Sequence, residues 1–89
     1  MNVVFRQSFE RDLKKLRGNA ALFERVRRLI EHLETAQTLS EVTGVKRMHG
    51  WDGYYRVRIG DYRLGLKLDG ETVEVLRFLH RKDIYRYFP

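Results

Sequence analysis

From Tyr54 to Leu79 apolar and polar side chains alternate almost one by one, and few folds accommodate that pattern. Tyr55, Val57 and Ile59 interleave with Arg56 and Arg58. After a Gly60-Asp61 turn, Tyr62, Leu64, Leu66 and Leu68 interleave with Arg63, Gly65 and Lys67. Asp69-Gly70 is a hairpin signal leading to a third segment, Thr72 to Leu79. Successive residues of a strand point to opposite faces. The pattern therefore specifies a sheet with one apolar face and one cationic face, and the apolar face must be covered by the rest of the chain.

The preceding half supplies the cover. Val3-Val4-Phe5 reads as a short first strand. Ser8 is placed to cap a helix carrying Phe9, Leu13 and Leu16 at four- and three-residue steps. Gly18 supplies a stop and Asn19 a cap for a second helix, whose stripe is Leu22, Val26, Leu29, Ile30 and Leu33. Arg25, Arg27, Arg28, Glu31 and Glu34 fill its other, solvated face. Two helices joined by a short turn make a helical hairpin. The pattern weakens from Thr35 to Gly50, where one short strand is expected around Val45–Met48. The expected class is α+β: a short N-terminal strand, a helical hairpin, then a three- to four-stranded antiparallel sheet. A length of 89 residues leaves room for a single domain, 1–89.

If Leu64–Leu68 pack on the helices, then Arg56, Arg58, Arg63 and Lys67 project together from the opposite face. Like charges on neighbouring strands destabilise a sheet, so their concentration points to an anion that neutralises them. The chain has 18 Lys and Arg against 12 Asp and Glu, a formal charge of +6. Most of these cations are arginine, whose planar fork matches phosphate. A hydrophobic share of 43% supports a core and argues against disorder. The absence of cysteine excludes disulfides and thiolate metal sites. Asp52, Asp61, Asp69 and Asp83 fall at turns and a helix cap, without a carboxylate pair at metal-ligand spacing, so no metal or other cofactor is expected. No signal peptide or membrane-spanning run is recognisable, and the chain reads as cytoplasmic.

The tail behind the last strand gathers His80, Arg81, Lys82, Tyr85, Arg86 and Tyr87. Such a segment can present phosphate binders and proton-transfer groups together at a sheet edge. If such a site cuts nucleic acid without a metal, it needs a base for the attacking hydroxyl, a clamp for the phosphorane charge and an acid for the leaving oxygen. Arg56, Arg58, Arg63 and Arg81 can form the clamp. Arginine does not give up its proton, so proton transfer falls to His80, Tyr85 or Tyr87. Histidine titrates in the useful range, whereas a tyrosine can instead stack on a base. Lys46, Arg47, Lys67, Lys82 and Arg86 are candidate RNA contacts. Bland readings stand beside these. His80 can equally face the core, Tyr54, Tyr55 and Tyr62 suit packing within strands, and Trp51 reads as a lid or packing residue. His32 and His49 have no sequence neighbours that give them a role.

The order and spacing of these elements resemble the RelE/ParE superfamily of toxins from bacterial type II toxin–antitoxin pairs. The resemblance covers nearly the whole chain. It rests on the N-terminal strand, the helical hairpin, Tyr55-Arg56-Val57-Arg58, Gly60-Asp61-Tyr62-Arg63 and the His80–Tyr85 segment. The RelE branch implies a RelE-like toxin fold and a metal-independent endoribonuclease, an mRNA interferase that inhibits translation by cutting messenger RNA at the ribosome. It also implies a cognate antitoxin: the toxin alone is expected as a monomer, and the pair as a hetero-oligomer. By motif, Arg56 and Arg58 match the two basic residues of the central strand, and Arg63 the arginine of the Tyr-Arg-Leu segment. Arg81 matches the C-terminal arginine. Tyr85 matches the tyrosine after it, a role for which Tyr87 competes because some members space that tyrosine more widely. Where members carry lysine on the strand, arginine here confines the position to electrostatics. The ParE branch shares the fold but poisons DNA gyrase without nuclease chemistry. A member that retains only antitoxin or RNA binding is the remaining alternative. Arg81 with its nearby tyrosine and the paired strand arginines favour the RelE branch.

Overall fold

The chain runs β1 (Asn2–Phe5), α1 (Gln7–Lys14), α2 (Ala20–Thr35), β2 (Val45–Arg47), β3 (Tyr54–Ile59), β4 (Tyr62–Asp69), β5 (Thr72–His80) and α3 (Ile84–Tyr87). These elements come from a computed structural model that describes all residues, 1–89. The strands form one five-stranded sheet in the order β1-β5-β4-β3-β2. Its central strands are antiparallel hairpins, and β1 joins the outer side of β5 in parallel, with Val3 opposite Val73. The first strand is therefore part of the same sheet.

Both helices lie on one face. Asn19 caps α2 as expected, its side chain accepting the Leu22 N–H at 3.1 Å. Leu22, Val26 and Leu33 of α2 and Phe9 of α1 meet Val57, Ile59, Leu64, Leu66, Val73, Val75 and Phe78 of the sheet in the main core. The largest of these are fully buried, each contributing roughly 1.5–3 kcal/mol relative to exposure. The outer side of α2 carries Glu24, Arg27, Arg28 and Glu31 as a paired network. Arg27, hydrogen-bonded to Glu24, holds that carboxyl below its usual range. Such exposed pairs add little to stability.

Ser8 does not cap α1. The helix starts two residues earlier, at Gln7 after Arg6, without a side-chain cap. Ser8 instead donates to the Leu76 carbonyl at 2.5 Å. The reason lies at the sheet edge. β1 ends at Phe5, and α1 takes over the side of β5 that β1 no longer covers. There Ser8 satisfies Leu76, and the buried Asp12 carboxylate accepts the Phe78 N–H at 3.0 Å. Arg77 closes the arrangement, donating to both Asp12 oxygens at 2.7 and 3.2 Å. A buried carboxylate needs this degree of satisfaction.

The same stretch of β5 holds a bulge. Gly65 pairs with Arg77 but Leu66 pairs with Val75, so Leu76 is an extra residue. A bulge reverses the inward–outward phase of everything beyond it. Val73 and Val75 face the helices, and after the bulge Phe78 does so in their place.

The face without helices is covered in part by the tail. Met48, Ile84 and Phe88 form a second small core there, joined by Tyr54, Leu76 and Leu79. Phe88 lies on Gly65, where a Cβ would come within 2.9 Å of its ring. Gly65 is thus the gap in the cationic face into which the tail docks.

Candidate nucleic-acid interface

Period two places Arg56 and Arg58 of β3 and Arg63 and Lys67 of β4 on the face away from the helices. Pairing brings them into rows: Arg58 lies opposite Arg63, and Arg56 opposite Gly65. β2 adds Lys46, which lies opposite Arg56. The expectation that one face gathers these cations matches the sheet register. None of Lys46, Arg56, Arg58, Arg63 or Lys67 forms an ion pair. Glu74, opposite Lys67, is taken by Arg6.

Two of the arginines are oriented by neutral partners. Arg63 donates from one Nη to the carbonyls of Gly60 and Tyr62, both at 2.9 Å. Arg56 donates to the Arg47 carbonyl at 3.3 Å, and its guanidinium carbon lies 5.3 Å from the centroid of the Tyr85 ring. Neither contact neutralises the charge, so both forks keep their affinity for an anion. The cation–ring contact also fixes where Tyr85 stands.

α3 spans one turn, and its anchoring explains which tail residues are presented. Ile84 and Phe88, four residues apart, are buried in the second core. The residues between them face outward: Tyr85 is 64% exposed and Tyr87 53%, with Arg86 exposed between them. Asp83 stands at the N-cap, but its side chain makes no capping bond.

His80 and Arg81 fall on opposite faces by alternation, and the bulge decides which of them takes which face. His80 pairs with Tyr62 across the strands, and its ring meets the Tyr62 ring edge-on at 5.4 Å. Tyr62 packs on Phe78 and the main core. His80 therefore belongs to the helix-covered side, away from Arg56 and Tyr85. Its Nδ1 accepts the Lys82 N–H at 3.2 Å, which leaves the ring occupied locally. The Arg81 N–H donates to the Asp61 carbonyl at 2.8 Å, prolonging the β4–β5 pairing by one residue. The alternation that puts Leu79 on the open side returns Arg81 to it. Lys82 is exposed beside it.

Arg47 does not join the open face. It lies opposite Tyr55, whose ring packs on the main core, and its guanidinium is paired with Asp52 at 3.0 Å. The cluster that forms is thus Lys46, Arg56, Arg58, Arg63, Lys67 and Arg81, with Tyr85 above Arg56. Sequence reasoning missed Gly65 and the Phe88 anchor that dock the tail. The signal available was a lone glycine inside an otherwise regular strand pattern.

A one-faced cationic sheet under a short aromatic tail, backed by two helices, is thus the architecture that the chain builds. The chain belongs to the ParE toxin family of type II toxin–antitoxin systems, whose family model matches residues 3–85. It is 38% identical over 90 residues to Toxin RelE3 of Methanocaldococcus jannaschii, with 100% of each chain covered. A chain of the RelB–RelE antitoxin–toxin complex from Methanococcus jannaschii superposes with a TM-score of 0.82 at 35% identity, covering 97% of this chain and 99% of that one. YafQ from E. coli shares the fold at a TM-score of 0.74 and 18% identity, covering 94% and 97%.

Proposed function

We propose that this toxin is a metal-independent endoribonuclease that cuts messenger RNA at the ribosome and so stops translation. The observation that carries the reading is the set of unpaired cations around Arg56, with an exposed phenol held over that guanidinium. In the reaction, the ribose 2′-hydroxyl attacks the adjacent phosphorus and the bond to the 5′-oxygen breaks. The products are a 2′,3′-cyclic phosphate and a 5′-hydroxyl. Arg56, Arg58, Arg63 and Arg81 stabilise the charge that accumulates on the phosphoryl oxygens. Tyr85 gives its proton to the departing 5′-oxygen, while the 2′-hydroxyl proton passes to water. His80 is assigned no step, because its ring packs on Tyr62. By analogy with the RelB–RelE complex, an antitoxin binds this toxin as a hetero-oligomer and holds it inactive.

The experiment follows a defined message on translating ribosomes with purified toxin, mapping RNA ends by single-turnover kinetics. Cut message with 5′-hydroxyl ends is expected. Tyr85→Phe should slow the cut by about a hundredfold or more, and His80→Gln should change it little. A full rate in Tyr85→Phe with a large loss in His80→Gln would reverse the assignment. The name of the family model favours a second reading, inhibition of DNA gyrase. An intact message together with blocked supercoiling by purified gyrase would select that reading instead.

A further inference from the structure

Trp51 is the chain's one tryptophan, and it is 53% exposed. Packing against the protein does not account for an indole left in water beside a cationic face. The turn that carries it is tied down. The Met48 N–H donates to the Tyr54 carbonyl at 2.8 Å, and the Trp51 N–H to the Met48 carbonyl at 3.2 Å. Asp52, the carboxylate next to the indole, is paired with Arg47 and so repels an approaching anion less.

The ring also continues a line. Trp51 meets Tyr54 edge-on at 6.2 Å, and the Lys67 ammonium lies 5.6 Å from the centroid of Tyr54. Arg58, Arg56 and Tyr54 follow one another on the open face of β3 at two-residue steps, roughly 6.7 Å each. Along that line phosphate-binding forks give way to a lysine over a ring, and then to a free indole. Alternating charge and aromatic surface is what an extended single strand requires, since phosphates need cations and unstacked bases need a flat partner.

We propose that Trp51 and Lys67 form a flanking-nucleotide subsite. The indole stacks on one unpaired base of an RNA strand lying along β3, and Lys67 binds a neighbouring phosphate. The subsite rests on the ribonuclease reading and extends it, because Tyr54 separates Trp51 from the Arg56–Tyr85 pair. It sets which stretch of RNA is gripped beside the cut.

A single tryptophan makes the subsite readable without cleavage. The intact toxin is titrated with a 2′-O-methyl hexaribonucleotide, which cannot be cut. Binding is followed by indole emission and, in parallel, by anisotropy of an end-labelled copy. Saturable quenching that coincides with the anisotropy curve is expected, together with protection of the indole from acrylamide. Trp51→Ala should weaken the anisotropy-detected affinity by about tenfold, and Trp51→Phe by less. Lys67→Ala should weaken it and steepen the loss of quenching with truncation of the oligonucleotide from one end. Saturating anisotropy with unchanged emission overturns the subsite and leaves the nuclease reading intact. Emission that answers to an antitoxin protein but not to RNA assigns the indole to a protein interface and overturns it equally. If neither signal responds, the subsite falls, and cleavage of a translated message judges the nuclease reading separately.

Discussion

The two faces of the sheet are built from the same strands, yet they are held by different means. The helix-covered face is continuous and apolar, with Leu64, Leu66, Val73 and Val75 fully buried beneath α1 and α2. The open face is mostly charge, and what apolar packing it has comes from Ile84 and Phe88 of the tail with Met48 after β2. One face therefore supplies most of the stability, and the other stores like charges close together at some cost to it. The lesson is that adjacent residues of one strand can be nearly independent in what they control.

Arg63 and Leu64 test that independence most severely. Leu64→Ala should destabilise the fold by about 2–5 kcal/mol, measured by urea denaturation, because a fully buried side chain is lost from a packed core. Cleavage per folded molecule should barely change. Arg63→Ala should do the reverse, costing about a hundredfold in single-turnover rate and on the order of 1 kcal/mol in stability. A stable Leu64→Ala or a fully active Arg63→Ala would break the division between faces.

Asp12 probes the point where the two faces share a support. Removing its carboxylate leaves the Phe78 N–H and Arg77 without their acceptor. Asp12→Ala should cost about 2 kcal/mol in the same denaturation experiment. Asp12→Asn should recover part of that by still accepting the N–H. Equal losses in both variants would mean that the ion pair matters more than the backbone contact.

Gly65→Ala sharpens the comparison from the open side. Its Cβ would sit against the Phe88 ring, so the tail must lift. A stability loss of about 1–3 kcal/mol is expected, with a clear fall in cleavage as Tyr85 leaves its place over Arg56. An active, well-folded Gly65→Ala would show that the tail has another seat.

The smallest effect belongs to Glu41, in the connection beneath the helix-covered face. The backbone N–H groups of Thr38 and Gln37 donate to its carboxylate at 2.8 and 2.6 Å and hold its pKa below the usual glutamate value. A lowered folded-state pKa contributes stability above the unfolded value of about 4.3. That contribution disappears as pH falls through the folded pKa. The melting-temperature difference between wild type and Glu41→Gln should be present near neutral pH and shrink on acidification below about 4. A difference independent of pH would point to the amide geometry rather than the charge.

Much of this was legible in the sequence because it depends on local period. The strands Tyr54–Ile59 and Tyr62–Asp69 and the cationic face follow from alternation that neighbours enforce, and the Asn19 cap from a helix-start signal equally local. What was not legible depends on partners distant in the chain. The parallel docking of β1 on β5 is one case. Another is Ser8, which looks like a helix cap until Leu76 offers its carbonyl. The placement of His80 is the instructive one. Counted straight through β5 it falls on the open face, and the bulge at Leu76 moves it to the other side while bringing Arg81 across. The three-residue step from Val75 to Phe78 was the visible trace of that shift.

That bulge gives strand register the force of a chemical substitution. Pairing β5 straight through, with Leu76 kept and the bulge ironed out, would leave every side chain of the tail unaltered in identity, yet it would hand the position beside the Arg56 cluster to an imidazole and turn a guanidinium toward the helices. Two relatives of equal length that differ only in whether this strand bulges can therefore carry different reactive groups at the same place while aligning without a gap.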